Sequence, residues 1–153
     1  MLSPIEKVLI LKKASVFTHV PDDVLADVAY YLEEIDVTAN EGIFNKGDLG
    51  DSMYILVSGK VRVHDNGISL STLGEGDVFG EMALLDPEPR SASVTALEPT
   101  RLLRLDQEPF MELIAQDPEV ATGIIRNLTR YLRARVQDLN RLDARLRECE
   151  QTA

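Results

Sequence analysis

The chain has 153 residues and a mass of 17.0 kDa, enough for one domain with a core and too little for two of ordinary size. No apolar run reaches the roughly 18 residues of a membrane span, and the N-terminus has no signal-peptide pattern, so we expect a cytoplasmic protein with no membrane partner. The net charge is −10, with 9 basic against 22 acidic residues up to Ile125 and 7 Arg against 4 acids after it; the acidic body excludes nucleic acid as an expected partner.

Two short helices are predicted before residue 34. Ser3 as N-cap, Pro4 at the first position and Glu6 at the third form a capping box for the first helix. The second helix begins near Pro21. Its apolar face consists of Val24, Leu25, Val28, Ala29 and Leu32. We interpret both helices as packing elements for the domain that follows.

From Glu34 to Leu105 the sequence predicts short strands separated by glycine turns. Met53–Val57 is a continuous apolar run, which favours a strand buried on both faces. Asp65-Asn66-Gly67 is a strong hairpin signal between two alternating segments. Evenly spaced short strands of this kind are typical of an antiparallel roll or sandwich. The fold class is therefore mainly β with flanking α: a jelly-roll-like antiparallel β-roll, short N-terminal helices and a long C-terminal helix.

The C-terminal segment predicts two helices, from Asp106 to Gln116 with Asp106 as cap, and from Pro118 to about Glu148. The apolar positions of the second helix form a heptad seam in which Arg135 takes one slot. The seam consists of Ile125, Leu128, Leu132, Leu139, Leu142, Leu146 and Cys149. A seam of about 30 residues spans roughly 45 Å, further than a helix that only covers the roll requires. It predicts a homodimer through this helix; packing of the seam on the chain's own roll, or on another domain, is the alternative.

The stretch Asp77–Ala96 carries the residues most suggestive of a ligand. It reads as a strand, a turn at Gly80, one turn of helix, a proline stop, Arg90 and a second strand. A helix N-terminus leaves backbone N–H groups unpaired, a glycine lets a ligand approach them, and an arginine suits phosphate. Glu81 would repel a phosphate, so its carboxylate is better explained as an acceptor for sugar hydroxyls. Phosphate together with hydroxyls indicates a nucleotide.

Three segments of this stretch resemble the phosphate-binding cassette of the cyclic nucleotide-binding domain family, which includes catabolite activators and kinase regulatory subunits. They are Phe79-Gly80-Glu81, Ala83-Leu84-Leu85 and Pro89-Arg90-Ser91-Ala92. The resemblance extends from about Ile5 to about Asn140. It implies a single domain over 1–153, with N-terminal helices in 1–33, a β-roll in 34–105 that contains the cassette 79–92, and C-terminal helices in 106–150.

The resemblance also implies a set of ligand-binding residues. These are Gly80, Glu81, Met82, Ala83, Arg90, Ser91, Val63 and Leu70. In the family, Val63 and Leu70 occupy positions that line the purine site, facing each other across the hairpin. Ser91 permits either base, and we favour cyclic AMP over cyclic GMP as the ligand.

No catalytic set is present, so we expect a protein that is not an enzyme and has no cofactor. His19 and His64 have no cysteine at ligand spacing, and no metal site is expected. The resemblance implies a regulatory sensor, whose C-terminal helix moves over the bound cyclic mononucleotide and signals to an effector domain or partner protein. The chain ends at Ala153 without a helix-turn-helix, so we expect either a stand-alone sensor or a domain of a larger protein. The alternative is a dimerisation or interaction domain whose degenerate pocket binds no nucleotide, with Arg90 paired to Glu81 or Asp86.

Overall fold

The computed structural model describes residues 1–17, 20–84 and 86–152, so His19 and Leu85 lie outside the described residues. Within these residues ten strands form two four-stranded antiparallel sheets and one two-stranded ribbon. The strands are β1 Glu33–Val37, β2 Gly42–Phe44, β3 Leu49–Gly50, β4 Ser52–Ser58, β5 Val61–Asp65, β6 Ile68–Leu73, β7 Val78–Phe79, β8 Glu88–Pro89, β9 Ser93–Ala96 and β10 Thr100–Asp106.

The two large sheets have the strand orders β1-β10-β4-β7 and β2-β9-β5-β6, and β3 pairs with β8. Neighbours in the sheets come from distant parts of the chain, because β10 inserts between β1 and β4, and β9 inserts between β2 and β5. This arrangement confirms the predicted antiparallel β-roll with its flanking helices.

The central strand β4 is buried on both faces, as its continuous apolar run predicts. Met53 and Ile55 belong to a core formed with the helices, while Tyr54 and Leu56 belong to a second core between the two large sheets. Successive strand residues point to opposite faces, so one strand supplies both cores. The neighbouring strand β10 also supplies both cores, with Leu103 in the helix-side core and Leu102 in the core between the sheets. The roll is therefore fixed between the helices and the second sheet.

Four α-helices flank the roll within the described residues. They are α1 Pro4–Lys13, α2 Asp22–Tyr30, α3 Gln107–Gln116 and α4 Pro118–Thr152. The predicted capping box of α1 is confirmed, because the Ser3 side chain accepts from the Glu6 N–H and the Glu6 carboxylate accepts from the Ser3 N–H. Phe17, Leu25 and Phe110 fill the core between these helices and the roll.

Asp106 precedes α3 in extended conformation, but its side chain does not cap the helix as predicted. Its carboxylate instead accepts from the Ser52 hydroxyl at 2.6 Å and pairs with the Arg104 guanidinium at 3.2 Å. These two partners lie on β4 and β10, so tertiary contacts have replaced the local capping bond. The backbone N–H of Gln107 donates to the Asp51 carbonyl oxygen at 2.8 Å and satisfies one end of α3.

The long helix α4 has 35 residues, and only its first part packs on the rest of the chain, against α3 and the 3₁₀ turn Ser15–Phe17. Ile124 is buried in the helix-side core and Leu128 packs against it, whereas Ile125 is exposed. Further along, apolar side chains on one stripe are each more than half exposed. They are Ile125, Leu132, Val136, Leu139, Leu142 and Leu146. The predicted seam therefore extends beyond the chain's own core.

The cassette connects the two large sheets. The residues after Gly80 form a 3₁₀ turn, Glu81–Leu84, rather than a turn of α-helix. The last two residues of the turn, Ala83 and Leu84, are buried, and Leu84 belongs to the helix-side core. The turn is thereby held against β4, and β8, which pairs with β3, leads to Arg90.

Candidate functional site

A cleft of about 470 Å³ lies between the cassette and the sheet that contains β5 and β9. Phe44, Val63 and Val94 supply apolar surface on one side, and the cassette supplies most of the other. Seven of the eight predicted ligand-binding residues line this cleft, namely Val63, Gly80, Glu81, Met82, Ala83, Arg90 and Ser91. Its walls are apolar with a few convergent polar groups, which is typical of a small-ligand site.

Arg90 is held in the cleft by contacts on several sides. Its Nη2 donates to the Ser52 carbonyl oxygen at 2.7 Å, and its Cζ lies 4.2 Å from the centre of the Phe44 ring. A Cβ on Gly50 would lie 2.3 Å from Arg90 Nε, and a Cβ on Gly80 would lie 2.7 Å from Nη1. Both glycines therefore leave space that the guanidinium fills. The backbone of Arg90 is fixed as well, because its N–H donates to the Asp48 carbonyl oxygen at 2.7 Å.

The Arg90 guanidinium has no carboxylate partner among the described residues. No Asp or Glu within residues 1–17, 20–84 and 86–152 forms an ion pair with it. Burial lowers the pKa of the Arg90 guanidinium from its usual value, and Tyr54, Asp51 and Asp48 oppose that shift at longer range. A half-buried cation held by a carbonyl and an aromatic face favours an anionic ligand, because such a ligand would compensate its desolvation.

Glu81 lies on the rim of the same cleft, at the start of the 3₁₀ turn. In the described part of the chain its carboxylate makes no hydrogen bond or ion pair. The pairing of Arg90 with Glu81 or Asp86 that would characterise an idle pocket is thus absent from these residues. Of the residues that the structure describes, one cationic residue, Arg90, and three acidic residues, Glu81, Asp86 and Glu88, line the cleft. A cation for a phosphate and a carboxylate for sugar hydroxyls are the combination expected for a phosphate joined to a sugar.

The sequence predicts unpaired backbone N–H groups at the start of this turn, but one of them is already hydrogen-bonded within the turn. Ala83 N–H donates to the Gly80 carbonyl oxygen at 3.1 Å, so it is already engaged inside the turn. Four residues of 3₁₀ helix also carry a smaller dipole than an α-helix of ordinary length. Arg90, rather than the turn, is therefore the main source of positive charge here. A direct bond from the Ala83 N–H to a ligand stays a prediction.

The two predicted base-site residues do not face each other. Val63 lines the cleft and pairs with Ser71, whereas His64 pairs with Ser69, which leaves Leu70 at a bulge in β6. Leu70 is 59% exposed and is not among the residues that line the cleft. β6 is the edge strand of its sheet, and five of its six residues, 68–72, are exposed on both faces. A role for Leu70 in ligand binding stays a prediction.

Three residues around Arg90 were not predicted from the sequence: Phe44, Gly50 and Ser52. They lie 46, 40 and 38 residues before Arg90 and reach it through the β3–β8 ribbon and the packing of the two sheets. Gly50 carried the only local signal, since glycine permits close approach of another group.

Comparison with known proteins shows which family the chain belongs to. A family model described as "Cyclic nucleotide-binding domain" matches residues 34–117, which include the whole roll and the cassette. The chain belongs to the cyclic nucleotide-binding domain family. The resemblance on which the sequence interpretation depended is thereby confirmed.

Two curated relatives and one solved structure illustrate the similarity. A CRP-like cAMP-activated global transcriptional regulator of Mycobacterium tuberculosis is 32% identical over 129 residues, covering 81% of this chain and 58% of the relative. The cyclic AMP receptor protein of Thermus thermophilus is 39% identical over 118 residues, covering 74% and 54%. The crystal structure of the N-terminal domain of a Streptomyces coelicolor transcriptional regulator matches with a TM-score of 0.79 and 30% identity, over 85% of this chain and 94% of that one.

The chain spans between 54% and 58% of the length of these two curated relatives. Both are named as regulators or receptors rather than as enzymes, which places the family among regulatory proteins. Because one is named a transcriptional regulator, the expectation that excludes nucleic acid as a partner is not carried forward. Among the described residues, the helices are each too short or too polar to cross a lipid bilayer.

Proposed function

We propose that this chain is a non-catalytic regulatory domain that binds a 3′,5′-cyclic mononucleotide in the cleft around Arg90. The observation that carries the proposal is the half-buried Arg90 guanidinium, which has an aromatic and a carbonyl contact but no carboxylate partner in the described residues. Arg90 would bind the phosphate, Glu81 the ribose hydroxyl, and Val63 one face of the base. Family membership supports this assignment.

Cyclic AMP is the proposed ligand, because the two curated relatives are named for it. Ser91, which lines the cleft and is exposed, is compatible with cyclic AMP or cyclic GMP. A thermal shift panel with cyclic AMP, cyclic GMP, linear AMP and a cyclic dinucleotide tests the choice. We expect the largest increase in melting temperature with cyclic AMP, since a ligand of the folded state adds about RT ln(1+[L]/Kd) of stability. An affinity tenfold higher for cyclic GMP would reverse the choice of base but not the proposed site.

Coupling to the C-terminal helices is the proposed output. α3 packs on the end of β10 and on α4, and α3 begins at the Asp51–Ser52 segment that Arg90 contacts. A phosphate that competes for the Arg90 guanidinium would alter this segment and shift the balance between two positions of the helices. The effector that reads this movement is proposed to be an attached domain or a partner protein.

A homodimer through α4 is proposed as the functional state. The exposed stripe on α4 repeats with a spacing of seven at Ile125, Leu132, Leu139 and Leu146. Leaving so many large apolar side chains in water is unfavourable, and a heptad repeat suits a second helix of the same kind.

The exposed seam also favours one second candidate function, a dimerisation or interaction domain without ligand control. The two proposals differ in the response to nucleotide. A sensor melts higher with saturating cyclic AMP, whereas a pure dimerisation domain melts at the same temperature with and without it. Arg90→Ala should abolish the shift in the first case.

A further inference from the structure

The guanidinium of Arg90 is oriented by residues that contact it without belonging to the cassette. The Phe44 ring lies under its Cζ at 4.2 Å, in the range of a cation–π interaction. Phe44 is itself fixed by two aromatic neighbours, with ring centres 6.0 Å from Tyr54 and 5.9 Å from Phe79. The ring that Arg90 contacts is therefore packed against the core between the two sheets.

A second boundary of Arg90 is set by a glycine. The Cβ position of Gly50 lies 2.3 Å from Nε, 2.5 Å from Cζ and 2.7 Å from Cδ of Arg90. Gly50 is buried and lies on β3 in the ribbon with β8, where its Cα partner is Glu88. Any side chain at this position would occupy the volume of the arginine itself. Arg90 is thus confined by an aromatic face and by a backbone without a side chain.

We propose that Phe44 and Gly50 are positioning residues for Arg90, which hold its guanidinium ready for the phosphate of the ligand. The inference depends on the proposed function for its consequence in binding. An arginine left free has many rotamers, and fixing such a side chain on binding costs roughly 0.5–1.5 kcal/mol, or about two- to twelvefold in affinity. Phe44 and Gly50 would remove that cost in advance.

Affinity for cyclic AMP, measured by calorimetry on the full chain, gives the first test. Phe44→Leu should weaken binding about fivefold, and Phe44→Tyr, which keeps the ring face, should restore it to within about twofold. Gly50→Ala should weaken binding on the order of tenfold, because the displaced guanidinium loses its alignment with the phosphate. Gly74→Ala is the matched control, since a Cβ on Gly74 meets nothing within 4 Å.

A double-mutant cycle separates positioning from direct contact with the ligand, because Phe44 also lines the cleft. In an Arg90→Gln background the neutral amide has no charge for the ring to attract, so Phe44→Leu should change affinity by less than about twofold. An equal loss in both backgrounds would overturn the inference, since Phe44 would then act on the ligand or on the fold.

A second test needs no ligand, so it distinguishes failure of this inference from failure of the proposed function. In the NMR spectrum of the ligand-free protein, the Arg90 Nε–Hε resonance should carry an upfield ring-current shift. Phe44→Leu and Gly50→Ala should each move it towards the position of a free arginine, and Gly74→Ala should leave it in place. A resonance that is the same in all four proteins would overturn the inference, whether or not cyclic AMP binds.

Discussion

Arg90 Nη2 donates to the carbonyl oxygen of Ser52 at 2.7 Å, which joins the cassette to the first residue of β4. The hydroxyl of the same serine donates to Asp106 at 2.6 Å, directly before α3. One residue therefore connects the candidate phosphate site to the start of the C-terminal helices. A ligand phosphate that competes with the Ser52 carbonyl oxygen for Arg90 Nη2 would act on this connection.

Ser52→Ala removes the hydroxyl link to Asp106 and keeps the backbone carbonyl that Arg90 contacts. We expect affinity for cyclic AMP to change little, because the binding groups remain, while the response of α3 to ligand becomes weaker. Hydrogen exchange of the backbone amides in 107–116, with and without cyclic AMP, measures that response. Ser69→Ala, in the hairpin of β6, is the control. An unchanged ligand-induced difference in exchange would show that coupling takes another route.

Arg90→Ala should cost more binding free energy than Glu81→Ala. The first substitution leaves a desolvated phosphate without its charged donor, whereas the second loses hydrogen bonds to sugar hydroxyls. We expect a loss of several kcal/mol for Arg90 and about 2 kcal/mol for Glu81, by calorimetry with cyclic AMP. Arg62→Ala, which removes a cation from β5 outside the cleft, should have almost no effect. The reverse order for Arg90 and Glu81 would mean that the sugar, not the phosphate, anchors the ligand.

Gly80→Ala should lower both stability and affinity. Gly80 has a φ of +77°, and its Cβ would lie 2.9 Å from the Ser52 carbonyl oxygen and 2.7 Å from Arg90 Nη1. Gly76 is a matched control, because its φ of +87° brings a similar conformational penalty and its Cβ would meet nothing within 4 Å. Both variants should lose roughly 1–2 kcal/mol of unfolding free energy from the backbone, and Gly80→Ala should lose more and bind cyclic AMP weakly. Equal unfolding midpoints and equal affinities would show that the close approach has no energetic effect.

The fold could be predicted to the extent that local patterns decide it. Asp65-Asn66-Gly67 predicted a hairpin, and the structure places Asn66 and Gly67 at positive φ between β5 and β6. The apolar run through Met53–Val57 likewise predicted a strand buried on both sides. Turn-forming residues and the spacing of apolar residues act over a few positions, so both can be recognised in a single sequence.

Features that depend on contacts between distant segments could not be predicted. Asp106 has the sequence of a helix cap, yet its carboxylate accepts from Ser52, which lies 54 positions away in the chain. The exposure of Leu70 depends on the place of β6 at the edge of its sheet, where residues 68–72 are all exposed, and hairpin signals do not specify that place. Ile125 was assigned to the seam from its spacing, while the burial of its neighbour Ile124 depends on where α4 packs against α3 and the 3₁₀ turn Ser15–Phe17.

The homodimer predicts a mass of about 34 kDa by light scattering, twice the 17.0 kDa of the chain. Leu139→Glu should return the mass to that of a monomer, because it places a charge in the centre of the exposed seam. Ile68→Glu is the control, since Ile68 is an exposed apolar residue of β6 that lies outside the seam.

The only cysteine gives an independent check on the same interface. Cys149 is exposed and lies seven residues after Leu142, on the same seam. A parallel pair in register brings the two copies of this residue together, so mild oxidation should yield a disulfide-linked dimer that Leu139→Glu does not form. A monomeric mass at high protein concentration, with and without nucleotide, would assign the seam to a different partner.

The most direct measurement is a calorimetric titration of the full chain with cyclic AMP, alongside Arg90→Ala. We expect saturable binding of one nucleotide per chain to the wild type and a loss of at least a hundredfold in affinity for Arg90→Ala, equivalent to about 2.7 kcal/mol. Absence of binding heat in the wild type with every cyclic mononucleotide at millimolar concentration, or equal affinity in the two proteins, would contradict it.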